Sequence, residues 1–343
     1  MASTIEARLQ GLGDLELALL VSMIAEEHCI VSTNTATTTS LSQELSFTCA
    51  QTFGVKPVVI ECSPETTVDD FTNSMLIDLD ELKDNIPGVR DGMDRPTFSV
   101  DFSPSRERSP GRFGSFAGDR LENKHIADVI IASGLDTAHD AVQLQALELL
   151  RSKRIFTRSA MHVAPKDMLF IAVLSRPQAK LCRHFNDVFA MSHIHDDEDG
   201  HPHFDSQSGK ALSSAFFLED VKVLRQQMEN VFLTAEMAQY LHNVVVFMRN
   251  SRYIKGGVTA TATRQMRSIS RALAPLHGID YVPPSLVALA ARKIYPHRLV
   301  LATHENEKSL LWGSDPRAVK ELLEGVTVED AIEAVLASIE APL

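Results

Sequence analysis

Two short stretches of the chain carry residue types whose spacing could do chemistry. The first, Thr33 to Ser40, lies between the apolar run His28-Cys-Ile-Val31 and the helix-forming Leu41-Ser-Gln-Glu-Leu45. A strand, an eight-residue turn and a helix in that order build a phosphate-binding loop, G-x-x-x-x-G-K-[ST]. There, backbone N–H groups cradle phosphates, the lysine reaches the terminal phosphates and the hydroxyl serves magnesium. Here Thr33 and Thr38 hold the two glycine positions, Thr39 the lysine position, and Ser40 keeps the closing hydroxyl. The second stretch, His193-Ile-His195-Asp-Asp-Glu-Asp-Gly-His201-Pro-His203-Phe-Asp205, packs four imidazoles and five carboxylates into thirteen residues. His193, His195, His201 and His203 are a candidate ligand set for zinc, nickel or another divalent ion. The same run also reads as a solvated acidic loop, since it has no H-x-x-x-H helical spacing.

The losses in the first stretch have rough energies. A β-branched threonine forced into the left-handed conformation of a loop glycine costs about 1–2 kcal/mol. Without the lysine, a charge-assisted contact of about 1.5–3 kcal/mol is gone. Together these exceed about 3 kcal/mol, more than about a hundredfold in affinity. Tight ATP binding is therefore not expected.

The elements that must position these residues alternate between helix and strand. Leu12, Leu15, Leu19, Leu20, Met23 and Ile24 recur at helical spacing and lead into a strand at Cys29–Val31. A helix from Ser40, a strand over Val55–Glu61 and a helical region over Val68–Leu82 follow. Ile126–Leu135 and Asp167–Leu174 are continuous apolar runs suited to buried central strands, with a helix over His139–Ser152 and a polar hairpin over Arg154–Ala164 between them. Such alternation predicts an α/β layer on a mainly parallel sheet. Asp84–Lys124 is rich in Pro, Gly, Ser and Arg and reads as a disordered insertion, in which Ser103 and Ser109 precede prolines as phosphorylation candidates. Beyond Phe216 the pattern is helical, with Thr327-x-x-Asp330 as a capping box and Trp312, the sole tryptophan, expected as a packing anchor.

Composition narrows the partners. The 343 residues suggest two domains, with 33 basic against 45 acidic side chains and a net charge of -12. No basic face suited to nucleic acid appears, and no apolar stretch long enough to span a membrane. A soluble, cytoplasmic chain is expected. The four cysteines form no C-x-x-C pair and read as buried free thiols.

Taken in order, these segments resemble the AAA+ family of the MoxR and magnesium chelatase I-subunit type, from roughly Leu12 to Leu336. His28-Cys-Ile-Val resembles the strand before Walker A, Ala127-Asp-Val-Ile-Ile the Walker B strand, and Gln143-x-x-Ala-Leu-Glu-Leu-Leu the helix after it. Phe170-Ile-Ala-Val-Leu-Ser-Arg-Pro177 is similar to the sensor strand. Arg271-Ala-Leu-Ala, Asp280-Tyr-Val-Pro-Pro-Ser and Gly325–Leu336 are similar to the helical lid. The resemblance implies an AAA+ P-loop-type parallel sheet core with helices on both faces over residues 1–205, followed by a small helical lid domain over 206–343.

It also implies where catalysis would sit. At the Walker B carboxylates stand Ser133 and Gly134, with Asp136 two positions on; Arg176 replaces the polar sensor, His184 the arginine finger and Thr261 the lid arginine, with Arg264 nearly a turn later. Phosphoryl transfer depends on electrostatic positioning by such groups. The reading is a family member with a degraded nucleotide site, acting as a non-hydrolysing scaffold or interaction subunit in a homo- or hetero-oligomeric AAA+ ring. The alternative is an ATP-driven chelatase-like or MoxR chaperone-like enzyme, for which ATP and magnesium would be the cofactors.

Overall fold

The computed structural model describes residues 8–78, 124–158, 160–176, 179–196, 200, 216 and 218–342. Five parallel strands form the central sheet: β1 Cys29–Ser32, β2 Pro57–Glu61, β5 Val129–Ser133, β8 Leu169–Leu174 and β9 Met191–Ile194. Their spatial order is β2-β5-β8-β1-β9. All positions of β1, β5 and β8 are buried, as strands covered on both faces require.

Strand alternation divides the core in two. Val31, Val129, Ile131, Ile171 and Val173 face one apolar cluster with helices α1 Asp14–Ala25 and α2 Thr38–Gln51. Ile30, Ile130, Ala132, Phe170 and Ala172 face the other, with α3 Val68–Ser74, α4 Asp140–Ser152 and the short α5 Arg183–Asn186. The first cluster does not stop at the sheet. It continues without a break into the C-terminal helices α6 Leu218–Asn230, α7 Ala235–Asn250, α8 Ala260–Leu276, α9 Pro284–Ile294 and α11 Val328–Ala337. A further short helix, α10 Pro316–Leu323, has proline at its first position and the Asp315 side chain accepting from Arg317 N–H.

Two antiparallel strand pairs accompany the sheet: β3 Leu76–Asp78 with β4 Lys124–Ile126, and the hairpin β6 Arg154–Phe156 with β7 Met161–Val163. The second is the hairpin expected from the sequence; the first corrects two expectations. The helix beginning at Val68 ends at Ser74 rather than Leu82, because Leu76–Asp78 pairs with a distant strand. The apolar run from Ile126 splits at Ala127-Asp128 into a hairpin strand and a sheet strand. Of the expected insertion only Lys124 is described, and Ser103 and Ser109 lie outside the described residues. Trp312 is no packing anchor, being 88 % exposed beside the equally exposed Leu311. No described helix is long and apolar enough to cross a membrane, and the four cysteines are free thiols.

A buried polar network joins the C-terminal helices to the N-terminal ends of the strands. Arg298, with a side chain 2 % exposed, donates to the carbonyls of Asp187 and Phe189 and to Gln265 Oε1, and its Nη1 lies 3.6 Å from Asp187 Oδ1. Gln265 Nε2 donates to Glu27 Oε2 at 2.8 Å and to the Val188 carbonyl at 2.9 Å. Thr259 caps α8 and donates to Asp187 Oδ1 at 2.5 Å.

Removing one member of such a network leaves buried partners uncompensated. Arg298→Ala should therefore cost about 3–5 kcal/mol in urea unfolding. The fold should also be acid-labile. Burial, aided by the Lys153 charge, pushes His28 down to about 3, and burial with the neighbouring Arg298 does the same to His297. The folded state favours the neutral imidazoles, so their contribution is complete above the ordinary value of 6.5 and is lost as pH falls towards about 3. Urea midpoints measured from about pH 7 down to about pH 5 should fall, and less steeply in His28→Gln.

Candidate functional site

A parallel sheet gathers the C-terminal ends of its strands along one edge, where loops from different strands meet. Register places Ser32 between Leu174 and Ile194, and Ser133 beside Val173. The candidate turn, the Ser133-Gly134 pair and the Ser175-Arg176 pair therefore share one rim.

The turn is not strained as its sequence suggested. No residue from Thr33 to Ser40 has positive φ. The chain avoids the left-handed conformation by folding the segment into a tight lead-in to α2: Thr37 N–H donates to the Asn34 carbonyl at 3.0 Å, and the helix starts at Thr38. The threonine hydroxyls hold this shape. Thr33 and Thr37 share a hydrogen bond of 2.8 Å, Thr38 donates to the Asn34 carbonyl at 3.2 Å, and Thr35 donates to the Ser175 carbonyl at 3.0 Å. Thr39 is exposed and Ser40 half-buried.

The hydroxyl that reaches Ser133 comes from Ser42, not from Ser40 of the motif. Ser42 and Ser133, both buried, share a hydrogen bond of 2.9 Å. Helical phase was the available signal, since Ser42 lies on the buried stripe of α2 with Leu41, Leu45 and Cys49.

Gly134 holds its place for steric reasons. Its φ is +68°, its N–H donates to the Val173 carbonyl at 2.9 Å, and a Cβ there would lie 2.9 Å from the Cys62 carbonyl oxygen. Asp136, the nearest carboxylate, accepts from the Ser175 hydroxyl at 2.6 Å and the Ser175 N–H at 3.2 Å, so it braces two loops. Gln143 does similar work, donating to the Leu135 carbonyl at 3.2 Å and accepting from Cys182 N–H at 2.8 Å.

Arg176 is exposed at the rim, and His184 is exposed on α5, whose Phe185 packs against Phe170 and Phe189. His193 and His195 are not members of an exposed loop. His193 belongs to β9 opposite Val31, and His195 N–H donates to the Ser32 carbonyl at 2.9 Å; both are buried. Their rings are 6.5 Å apart, and His195 Nε2 lies 3.1 Å from the Gly200 carbonyl. His201 and His203 lie outside the described residues. Among the described residues no group of three or more His, Cys, Asp or Glu side chains is arranged to hold a metal ion.

Thr261 is absent from this rim. The contacts of Thr259 with Asp187 and of Gln265 with Glu27 set the start of α8 beside the N-terminal ends of β1 and β9. With β1 rising about 3.3 Å per residue between them, Thr261 and the threonine turn occupy opposite ends of the sheet.

Residues 246–321 match the model of the AAA lid domain. The structure of a candidate ATPase from Cytophaga hutchinsonii superposes on 95% of this chain and 89% of that one, with a TM-score of 0.62 at 15% identity. The chain has the AAA+ fold. The lid match runs from the last turn of α7 into α10. Maintenance of telomere capping protein 2 of Saccharomyces cerevisiae is 31% identical over 102 residues, which is 28% of this chain and 29% of the yeast protein. The match thus spans less than a third of that relative.

Gly134→Glu should destabilise the chain by about 1–3 kcal/mol or more, from the left-handed backbone and the Cys62 contact. A urea midpoint equal to that of the unaltered chain would contradict this.

Proposed function

We propose that the chain is a magnesium chelatase I-subunit/MoxR-like AAA+ protein with a degraded nucleotide site, working as a non-hydrolysing scaffold or interaction subunit. The observation that carries this reading is the hydrogen bond between Ser42 and Ser133. Two neutral hydroxyls bond each other where a metal-binding hydroxyl and a carboxylate would hold magnesium between them. The residues at the rim do not fit a magnesium-bound triphosphate. Thr39 supplies no cation, Ser133 and Gly134 supply no carboxylate, and Asp136 is engaged by Ser175. Every step of phosphoryl transfer would lack the charge it needs.

The AAA+ fold supports a role in an oligomeric ring, homomeric or with other AAA+ subunits, in which this chain contributes surfaces rather than turnover. The partial likeness to the yeast protein offers the maintenance of telomere capping as a process in which to seek its partners.

Calorimetry with magnesium and ATP on the purified chain, paired with a phosphate-release assay, tests the reading. The expected result is no saturable heat below about 1 mM nucleotide and no release above the protein-free blank. Micromolar binding with steady phosphate release would instead establish an ATP-driven enzyme of the chelatase or MoxR chaperone kind.

A further inference from the structure

The end of the sheet opposite the Walker rim carries a cleft of about 610 Å³ between the core and the lid helix α8. That lies within the range of about 300–1,000 Å³ usual for small-molecule sites. Its charges are unequally committed. Glu26 pairs with Arg225 at 2.9 Å, Glu27 accepts from Gln265 at 2.8 Å, and Asp187 accepts from Thr259 at 2.5 Å. The cations of the same wall, Arg151 and Lys153 from α4 and Arg264 from α8, have no side-chain hydrogen bond or ion pair among the described residues.

A buried donor lines the same space. His28 is 6 % exposed, and its Nδ1 accepts from Phe170 N–H at 3.2 Å. The ring proton therefore sits on Nε2, which has no hydrogen-bond partner among the described residues. Burial keeps this imidazole neutral, so it is a fixed N–H donor at neutral pH.

The C-terminal end of α4 accounts for Arg151 and Lys153, since cations favour helix C-termini. It does not account for Arg264, which sits in the second turn of α8, a helix with no acidic side chain in its first turn. Both the α8 N-terminus and the guanidinium thus favour an anion. Arg264 and Lys153 line the same cleft from its two sides, α8 and the end of α4.

We propose that this cleft binds a small phosphorylated anion, its phosphate gripped by Arg264 from the lid and Lys153 from the core, with His28 Nε2–H as a neutral donor. Arginine suits this task because its planar fork meets phosphate oxygens in pairs. A ligand held from both sides ties lid to core, so binding stabilises the fold by mass action. The proposal is independent of whether the Walker rim takes nucleotide.

The test is calorimetry and thermal unfolding of the full chain with inorganic phosphate and with pyrophosphate, at ionic strength fixed with sodium chloride. Saturable binding is expected, tighter for pyrophosphate, with Tm rising with ligand concentration. Arg264→Gln and Lys153→Asn should each weaken pyrophosphate by about tenfold or more, a loss of one charge-assisted contact. Asparagine is chosen because it tolerates the left-handed backbone at position 153, where φ is 54°. Thr39→Glu, at the Walker rim, should leave binding unchanged. No saturable binding above the chloride control would overturn the proposal, as would binding insensitive to both cation substitutions. Loss of binding in Thr39→Glu alone would place the anion at the threonine turn and overturn it as well.

Discussion

The burial of Arg298 constrains the placement of everything around the lid. A guanidinium removed from water must meet acceptors on all sides or cost several kcal/mol. Here Nη2 donates to the Asp187 and Phe189 carbonyls before β9 and to Gln265 on α8, while Nη1, with no hydrogen-bond partner among the described residues, lies 3.6 Å from the Asp187 carboxylate. Satisfying that charge therefore fixes the approach to β9 and the start of the lid helix together. The apolar cluster that runs from β1 and α1 through α8 and α9 then packs around an alignment already set by polar geometry.

This placement has a functional consequence. The lid enters at the N-terminal end of the sheet, so Thr261 and Arg264 face Glu27, His28 and Lys153, while the threonine turn faces Ser133 and Ser175 at the other end. One chain thus has two chemically distinct ends. At the rim, short hydroxyl side chains bond one another and the backbone, and Asp136 is engaged by Ser175. The opposite end sets Arg151, Lys153, Arg264 and the His28 ring around open volume.

Glycine and threonine at this rim are each held by the contacts around them. Once β2 and β5 approach closely enough for Cys62 N–H to bond the Ser133 carbonyl at 2.8 Å, the Cys62 carbonyl excludes a side chain at position 134. In the turn, four threonine hydroxyls take over work that glycine conformations perform in a phosphate loop, and they do so with the backbone in ordinary regions.

The sequence by itself determined the layers. Continuous apolar runs such as Phe170–Leu174 and Val129–Ala132 can only be strands buried on both faces, and the periodic stripes of α1, α4 and α8 can only be helices packed on one side. It also fixed which residue types stand at the Walker positions, because those follow a local strand-turn-helix order. Tertiary structure alone decided which residues meet. Leu76–Asp78 became a strand through pairing with Lys124–Ile126, and Ser42 rather than Ser40 faced Ser133 because helical phase sets direction. Thr261 moved to the far end of the sheet because the desolvation of Arg298 was satisfied there. Local pattern reports periodicity and propensity, whereas hydrogen-bond partners across the fold answer to burial and charge, which no stretch of neighbouring residues encodes.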